Sequence, residues 1–484
     1  MTSSTIQSQE DHDNDLTVTA PPYTGDVDLE KAITRTSMIN KQSSKKICPY
    51  DKNDLPPHHL EKIYTDETST TDSSSRSISP DDIPDGGYGW VITVAGFLGY
   101  FVMYGVTNLW GLFSQAYATS VLEGKATTLE LITIGSLIFV SINMFSPLSS
   151  LLVSRIGTRF TYGLGGFLMC LAVILAGFST EVWHLYLTQG LLFGFGGSFL
   201  YMAVTSVIPQ WFTARRGTAM GISSAGSGIG ALALSPMVNF LIIEYGLPWA
   251  YRILGFFLLG ICAIGTILIK DRLPRSQRKN LPVKSPFQLS MFKDVNFVIW
   301  LFGSVISLMG YLPPLFYLPK YAAEIGINQT DASNLLAILS AMNAVGRIGL
   351  GFVADKVGRL NMFIIVSVLS GAFSFVIWQF AISYNILLVF CILWGATSGL
   401  YYALAAPITV CIVGSHNISG GLSILFITSA IAAMGTPISA AIQQITPNNG
   451  YFGIQMFSGA VYVLGAMICI YLKYRLTGSL LAKY

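Results

Sequence analysis

From Tyr88 onward, the chain consists mainly of apolar stretches of about 20 residues that are separated by polar connections. A helix of about 20 apolar residues is long enough to cross the ~30 Å hydrocarbon core of a bilayer. The stretches predicted to do so lie at 88–112, 129–153, 160–180, 184–208, 217–243, 249–270, 295–318, 332–354, 361–381, 385–411, 418–444 and 451–474. The sequence therefore predicts an all-α polytopic membrane protein with twelve transmembrane helices.

The charged residues are too few for a water-soluble protein of this length. Only 11% of the 484 residues are charged, whereas soluble proteins carry about a quarter. Residues 1–84 hold 15 acidic and 8 basic side chains, which leaves 30 charges for the other 400 residues. The composition excludes cytosolic enzymes. The predicted segments are a disordered cytosolic tail at 1–84, a six-helix half at 85–270, a cytosolic central loop at 271–294, a second six-helix half at 295–474 and a short tail at 475–484.

The sequence contains no catalytic or metal-binding arrangement. The six cysteines include no CxxC pair, and neither His184 nor His416 has metal-ligand spacing with another residue. We therefore expect no enzymatic activity, no cofactor, no metal and no nucleic-acid partner. The expected partners are a small-molecule solute and the lipid bilayer.

The polar tail offers many sites for modification. Hydroxyl side chains crowd residues 68–80, and several lysines lie between 41 and 62. One interpretation is a platform for phosphorylation and ubiquitination that recruits trafficking machinery. The alternative is a solvated linker without a specific role.

Basic side chains predominate on one side of the predicted membrane. The connections after the second, fourth, sixth and eighth spans, together with the C-terminal tail, hold 16 Lys and Arg residues. The opposite side holds three, Lys125, Arg252 and Lys320. Because cytosolic connections carry an excess of Lys and Arg, both termini are predicted to be cytosolic. We expect the plasma membrane, and the alternative is a vacuolar or other organelle membrane.

The turns after the second and the eighth span have similar sequences, Ser154-Arg155-Ile156-Gly157-Thr158-Arg159 and Asp355-Lys356-Val357-Gly358-Arg359. A tight turn favours glycine, and its charges tie it to neighbouring helix ends. We predict a conformational latch formed by Asp355, Arg359, Arg155 and Arg159, weaker in the first copy, where Ser154 replaces the acid. With the twelve spans, the repeat resembles the major facilitator superfamily pattern G-x-x-x-D-R/K-x-G-R. The resemblance implies a major facilitator fold, in which two six-helix halves rock about a central site.

Two further stretches carry a more specific resemblance. The stretch Asp85-Gly86-Gly87-Tyr88-Gly89-Trp90 is similar to the D-G-G-[WY]-G-W signature of the monocarboxylate transporter (monocarboxylate porter) family. The stretch from Trp211 to Gly221, which contains Arg215 and Arg216, resembles the second motif of that family. With its long polar N-terminal tail and short C-terminus, the chain most resembles the fungal monocarboxylate-permease homologues of that family. These resemblances imply secondary transport of a monocarboxylate-like solute. The glycine-rich run 221–230 favours close helix packing over ligand contact.

Arg347, in the eighth span, is the one ionisable residue well inside a predicted span. A charge at that depth faces the bundle interior or a partner. A carboxylate on the solute is one such partner, and helix-end carbonyls or Asp355 are the structural alternative. The family resemblance favours a functional role, because relatives have a functional arginine at the matching position.

Two departures from the family concern proton coupling. Asn343 stands four residues before Arg347, where proton-coupled members have an aspartate, and Asn108 stands where they have a lysine in the first span. An amide donates and accepts hydrogen bonds but does not titrate near neutral pH. We predict a solute site formed by Arg347, Asn343, Asn108 and Tyr104, and transport without the usual proton pair. The expected solute is monocarboxylate-like or a related weakly anionic or neutral metabolite, moved by facilitated diffusion or by coupling at another site. Other candidates are Asn143, Tyr311, Tyr317, Trp394, Tyr401 and Tyr402, of which the three in the tenth span are placed to stack on a flat ring.

Two other functions fit the same sequence. One is a proton-coupled monocarboxylate symporter. The other is a nutrient receptor that keeps the transporter fold, does not transport, and signals through the acidic tail.

Overall fold

The computed structural model describes residues 85–118, 120–272, 289–414, 418–446, 450–479 and 482. All regular secondary structure in these ranges is helical. The predicted modification platform in the N-terminal tail and most of the central loop lie outside the described residues.

Eleven helical stretches in the described ranges are long and apolar enough to cross a membrane. The longest, Arg216–Leu268, has 53 residues and is interrupted at Gly246, where φ is 75° and ψ is 165°. Because this stretch covers both the fifth and the sixth predicted spans, every one of the twelve predicted spans is helical. The predicted all-α membrane fold is confirmed.

We number the spans α1 to α12 in chain order, and call α1 to α6 the N-terminal half and α7 to α12 the C-terminal half. The helical segments are Tyr88–Asn108 and Trp110–Ala118 (α1), Thr128–Met144 and Ser146–Arg155 (α2), Thr158–Ala176 (α3), Val182–Trp211 (α4), the parts of Arg216–Leu268 before and after Gly246 (α5 and α6), Val295–Met309 and Leu312–Glu324 (α7), Gln329–Val357 (α8), Arg359–Trp378 (α9), Tyr384–Ser398 and Tyr401–Val413 (α10), Ile418–Ile445 (α11) and Phe452–Thr477 (α12).

Helices α1, α2, α7 and α10 are each broken within the span. The break in α7 falls at Gly310 and Tyr311, and Pro313 and Pro314 lie in the first turn of the segment that follows. Proline is tolerated there because the first turn of a helix has no intrahelical partner for its N–H groups. The breaks in α7 and α10 lie against other spans, since Gly310 approaches Tyr462 of α12 and Gly399 approaches Asn343 of α8.

The two related turns have the same backbone conformation at their glycine. Gly157 precedes α3 and Gly358 precedes α9, and both have a φ of 110°. Side chains with a Cβ atom rarely adopt this conformation, so glycine is required at both turns. The internal repeat read from the sequence is thus a structural repeat as well.

The glycine-rich part of α5 packs against α1 on one side and α8 on the other. A Cβ atom at Gly226 would lie 2.2 Å from the carbonyl oxygen of Phe97 in α1, and one at Gly221 would lie 2.2 Å from that of Arg347 in α8. Such distances are far below van der Waals contact, so only glycine permits this approach. The predicted packing role of the run is confirmed, and α5 joins the two halves.

Candidate functional site

Asp355 binds the first turn of α5 across the boundary between the halves. Its carboxylate accepts hydrogen bonds from the backbone N–H groups of Gly217 at 2.9 Å and Thr218 at 2.8 Å, and from the Thr218 hydroxyl at 2.8 Å. The N-terminus of a helix carries a partial positive charge and unsatisfied N–H groups, so a carboxylate is well placed there. Asp355 also forms a 3.2 Å ion pair with Arg359, and their side chains are 9% and 13% exposed.

Arg359 and Asp85 hold the connection between α4 and α5 from two sides. The Arg359 guanidinium donates to the carbonyl oxygen of Thr213 at 2.7 Å. Asp85 accepts hydrogen bonds from the N–H groups of Thr213 at 2.6 Å and Ala214 at 2.9 Å. The two latch residues of the C-terminal half and the first residue of the family signature therefore meet on one short segment of the N-terminal half.

The other family-motif residues shape the same segment. Trp90 packs edge-on against Phe212 with ring centroids 5.0 Å apart, and Arg216 donates to the Phe212 carbonyl oxygen at 2.6 Å. The signature turn itself is closed by a hydrogen bond from the Gly89 N–H to the Gly86 carbonyl oxygen, and Gly87 has a φ of 59°. Arg215 caps the start of α5 through its backbone, since its carbonyl oxygen accepts a hydrogen bond from Ala219.

The first copy of the repeat binds within its own half. Arg159 donates to the carbonyl oxygens of Thr266 at 2.9 Å and Ile267 at 3.2 Å, both at the end of α6. Ser154, which replaces the acid, donates to the Leu151 carbonyl oxygen of its own helix. Arg155 is exposed and makes no hydrogen bond or ion pair with another described residue. Within the described ranges, the cross-half hydrogen bonds of the repeat come from the second copy.

A second seam joins α2 to α11. The hydroxyls of Ser146 and Ser150 donate to the carbonyl oxygens of Ser423 and Ser419, each at 3.1 Å. This seam and the α5–α8 seam join the halves towards the same end of the bundle, the end that carries Arg159, Arg216 and Arg359. We call it the basic end. Hydrogen bonds between the halves hold the basic end closed.

Arg347 is buried where α8 meets α5 and α10, and it is only 3% exposed. Its Nη1 atom donates to the Ser224 carbonyl oxygen at 2.7 Å and to the Ser227 hydroxyl at 2.6 Å, both in α5. The guanidinium also lies over the ring of Tyr402 in α10, 4.8 Å from the ring centroid. Among the described residues, no carboxylate lies within ion-pair distance of Arg347, and its Nε atom has no hydrogen-bond partner.

The other predicted solute-site residues lie in different environments. Asn343, one turn before Arg347, is 4% exposed and its Nδ2 atom has no described partner. The Asn343 amide packs directly against Gly399, at the break in α10. Tyr104 is buried, and its hydroxyl likewise finds no partner among the described residues. Asn108 is exposed at the end of the first α1 segment, and its side chain makes no hydrogen bond with another described residue.

Eight aromatic side chains from both halves meet in the middle of the bundle, and we call them the central aromatic cluster. The cluster consists of Tyr100 and Tyr104 (α1), Tyr201 (α4), Tyr311 (at the α7 break), Trp394, Tyr401 and Tyr402 (α10) and Phe426 (α11). Two ring contacts connect the halves. The ring centroids of Tyr104 and Tyr402 lie 5.3 Å apart, and those of Tyr201 and Phe426 lie 4.4 Å apart. The cluster meets Arg347 at Tyr402, whose ring lies under the guanidinium and also contacts Tyr104 of the other half.

Sequence reasoning missed several members of this region. Tyr100, Tyr201 and Phe426 were not predicted to contribute, and neither were Ser224 and Ser227. Tyr100 could have been predicted, because it lies one helical turn before Tyr104, a predicted site residue, and so on the same face of α1. Asn143 and Tyr317 lie elsewhere: the Asn143 amide donates to the Phe139 carbonyl oxygen of its own helix, and Tyr317 contacts Tyr451.

Comparisons with known proteins agree with this architecture. The family model described as Major Facilitator Superfamily matches residues 92–437. The MFS-type transporter 1 of Ophiocordyceps sp. (strain BCC 1869) is 29% identical over 412 residues, which cover 84% of this chain and 89% of that protein. The Probable transporter MCH2 of Saccharomyces cerevisiae is 29% identical over 412 residues, which cover 83% of this chain and 85% of that protein.

The fold is also similar to that of solved transporters. A structure of a variant of the E. coli fucose:proton symporter FucP superposes with a TM-score of 0.62 at 14% sequence identity, and the match covers 79% of this chain and 99% of that one. The match to the family model extends over more than half of the chain and includes spans of both halves. The chain therefore belongs to the Major Facilitator Superfamily of secondary transporters.

Proposed function

We propose that this transporter belongs to the monocarboxylate porter branch of the superfamily and moves a small organic solute, anionic or weakly anionic, with Arg347 as the anchor for its acidic group. The observation that carries the proposal is the environment of Arg347. Its charge is buried, the described residues around it supply no carboxylate, and its Nε donor is unfilled. A buried guanidinium gains most from a carboxylate, which accepts two parallel hydrogen bonds from it.

The contacts of Arg347 suggest how solute binding is linked to alternating access. In the closed basic end, Arg347 of the C-terminal half donates to Ser224 and Ser227 of the N-terminal half. A solute carboxylate that takes over these donors frees α5 from α8. Breaking the Asp355 contacts with the first turn of α5 then opens the basic end, and the bound solute is released there.

The proposed transport does not use the usual proton pair. Asn343 and Asn108 are amides, and neither gains or loses a proton near neutral pH. The solute therefore moves by facilitated diffusion or by coupling at another site. By the distribution of basic side chains, the basic end faces the cytosol, and the plasma membrane is the proposed location.

Transport by matched arginine variants tests the proposal. Host cells that lack the protein, or that express the wild type, Arg347→Lys or Arg252→Lys at equal surface levels, are compared by untargeted analysis of internal and external metabolites. Arg252 serves as the control because it lies over the rings of Phe178 and Trp249, away from the solute site. We expect the wild type and Arg252→Lys to shift the same solute, and Arg347→Lys to reduce its flux about tenfold or more, since lysine offers no planar pair of donors.

Three outcomes contradict the proposal. Unaltered flux for every solute indicates a receptor rather than a transporter. Full flux in Arg347→Lys shows that the guanidinium is not the anchor. Uptake of lactate that rises as the external pH falls, and is lost in Arg347→Ala, indicates a proton-coupled monocarboxylate symporter.

A further inference from the structure

We propose that the solute carries a flat, conjugated ring system beside its acidic group, so that the class of substrate is a planar aromatic or heteroaromatic carboxylate rather than a short aliphatic acid. This inference rests on the proposed function, because it uses Arg347 as the anchor for the acidic group. The new part of the inference concerns the rest of the solute, beyond the acidic group that binds Arg347.

The first argument is the way in which the aromatic cluster spans the two halves. Tyr104 and Tyr201 of the N-terminal half contact Tyr402 and Phe426 of the C-terminal half through ring-to-ring contacts. When the halves separate during transport, these ring faces lose their partners. A flat ring that enters between them restores the same kind of contact on both sides, whereas a short aliphatic acid does not.

The second argument is the position of the anchor within the cluster. Arg347 lies 4.8 Å from the Tyr402 ring centroid. The Tyr311 ring centroid lies 5.6 Å from that of Tyr402 and 6.0 Å from that of Trp394, and the Tyr311 and Trp394 rings are stacked. A solute whose carboxylate binds Arg347 therefore has its remaining atoms beside a row of three aromatic rings.

The third argument is the chemistry of the unfilled polar atoms in this region. The Trp394 Nε1, Asn343 Nδ2 and Arg347 Nε atoms are all donors without a described partner, and the Tyr104 hydroxyl is likewise unpaired. A buried donor without a partner is unfavourable, so these positions suit a ligand with several acceptor atoms. No carboxylate among the described residues pairs with Arg347, so a cationic solute would be repelled by it. Conjugated acids with ring oxygen or nitrogen acceptors meet all of these requirements.

Binding of three matched probes to the purified full-length chain tests the inference. The probes are 2-naphthoate, its saturated analogue decahydro-2-naphthoate, and 2-naphthamide. The first two share carbon skeleton and charge but differ in flatness, and the third is flat and uncharged. By titration calorimetry we expect 2-naphthoate to bind at least about tenfold more tightly than either of the others.

Two test variants and two control variants distinguish the role of the rings from that of Arg347. Tyr402→Leu is expected to abolish the preference for 2-naphthoate over its saturated analogue, whereas Tyr402→Phe retains that preference and shows that the site tolerates substitution. Arg347→Lys is expected to abolish the preference for the acid over the amide while the preference for flat rings remains. Tyr251→Leu removes a buried tyrosine that stacks on Phe113, outside the cluster, and should leave both preferences unchanged.

The possible failures are distinguishable. Equal binding of 2-naphthoate and its saturated analogue, still dependent on Arg347, overturns the ring inference and leaves the proposed anchor intact. Binding that prefers flat rings but ignores Arg347→Lys overturns the anchor instead. Absence of binding by all three probes overturns the ring inference.

Discussion

The carboxylate of Asp355, in the C-terminal half, accepts a 2.9 Å hydrogen bond from the backbone N–H of Gly217, the second residue of α5 in the N-terminal half. Gly217 suits this position because a Cβ atom there would lie 2.8 Å from an Asp355 carboxylate oxygen. One half therefore supplies the cap for a helix of the other half. Any motion that separates α5 from α8 at the basic end breaks these hydrogen bonds and leaves the α5 terminus without its cap, while Asp355 keeps its ion pair with Arg359.

Asp355→Asn is expected to favour the conformation that is open at the basic end. The substitution removes the negative charge from the α5 N-terminus and the ion pair with Arg359, an effect of about 1 kcal/mol. Since each 1.4 kcal/mol is a factor of ten, the ratio of open to closed protein should rise about fivefold. Spin-label distances across the basic end, measured between labels on α5 and α8, report the change.

Asp271→Asn provides the matched control for Asp355→Asn. Asp271 also accepts a hydrogen bond from the first turn of a helix, from the Thr158 N–H at 2.9 Å. Asp271 follows directly after α6, so this contact does not connect the two halves. Both variants should lower the melting temperature, and only Asp355→Asn should change the distances. Equal distance changes in the two variants would show that the Asp355 contact is not a specific latch.

Gly351→Ala is expected to disturb the seam between the halves, whereas Gly349→Ala, two residues earlier on the same helix, is not. A Cβ atom at Gly351 would lie 2.7 Å from the Gly217 carbonyl oxygen, and one at Gly349 would meet nothing within 4 Å. Overpacking against backbone costs about 1–3 kcal/mol, while alanine at an open helical site is neutral or slightly stabilising. Thermal unfolding and the same spin-label distances should change for Gly351→Ala alone, and similar behaviour of both variants would contradict the close approach seen here.

The membrane spans, the internal repeat and Arg347 were all recognisable in the sequence, for one physical reason. A bilayer requires long apolar helices and makes every charge within them expensive, so length and charge patterns are strong signals. Asp355, the predicted latch residue, also stood out in the sequence, because its turn repeats an earlier one.

The partners of these residues were not recognisable. Arg347 and Ser224 are 123 positions apart in the chain, and Asp85 and Thr213 are 128 apart. Whether such residues meet depends on how far each helix is rotated about its axis and how closely the halves approach. These quantities follow from the packing of glycines such as Gly221 against Arg347, which hydropathy does not reveal. For the same reason Tyr201 and Phe426 could not be assigned to the centre of the bundle.

Glu130→Gln is expected to alter the pH dependence of stability at the start of α2. Glu130 lies in the first turn of α2, outside the part of that helix, Thr133–Arg155, that is apolar enough to span the membrane. Its side chain accepts hydrogen bonds from the N–H and the hydroxyl of Thr127. These hydrogen bonds, the backbone one above all, hold the pKa of Glu130 below its usual range. A lowered pKa in the folded state stabilises the protein above the pKa of the unfolded state, and this stabilisation is lost as the pH falls through the folded-state pKa.

The melting temperature of the wild type should therefore exceed that of Glu130→Gln at neutral pH, and the two should converge in acid. Glu123→Gln, in the same connection, is the control and should follow the wild type at every pH. A constant difference between the wild type and Glu130→Gln across the pH range would contradict a role for the ionised carboxylate.

Asn343→Asp is expected to make transport depend on pH. Asn343 lies one helical turn before Arg347, and both side chains are almost fully buried. An aspartate at this position would pair with Arg347 when ionised and so compete with the acidic group of the solute. As the external pH falls, the new carboxylate takes up a proton and releases Arg347, so the flux of the solute found by the metabolite comparison should rise.

Asn343→Gln, which cannot titrate, is the matched control and should keep the shallow pH dependence expected of the wild type. If Asn343→Asp and Asn343→Gln show the same pH profile, a charge at position 343 does not affect solute binding by Arg347. The neutral amide of Asn343 would then not account for the shallow pH dependence expected of the wild type.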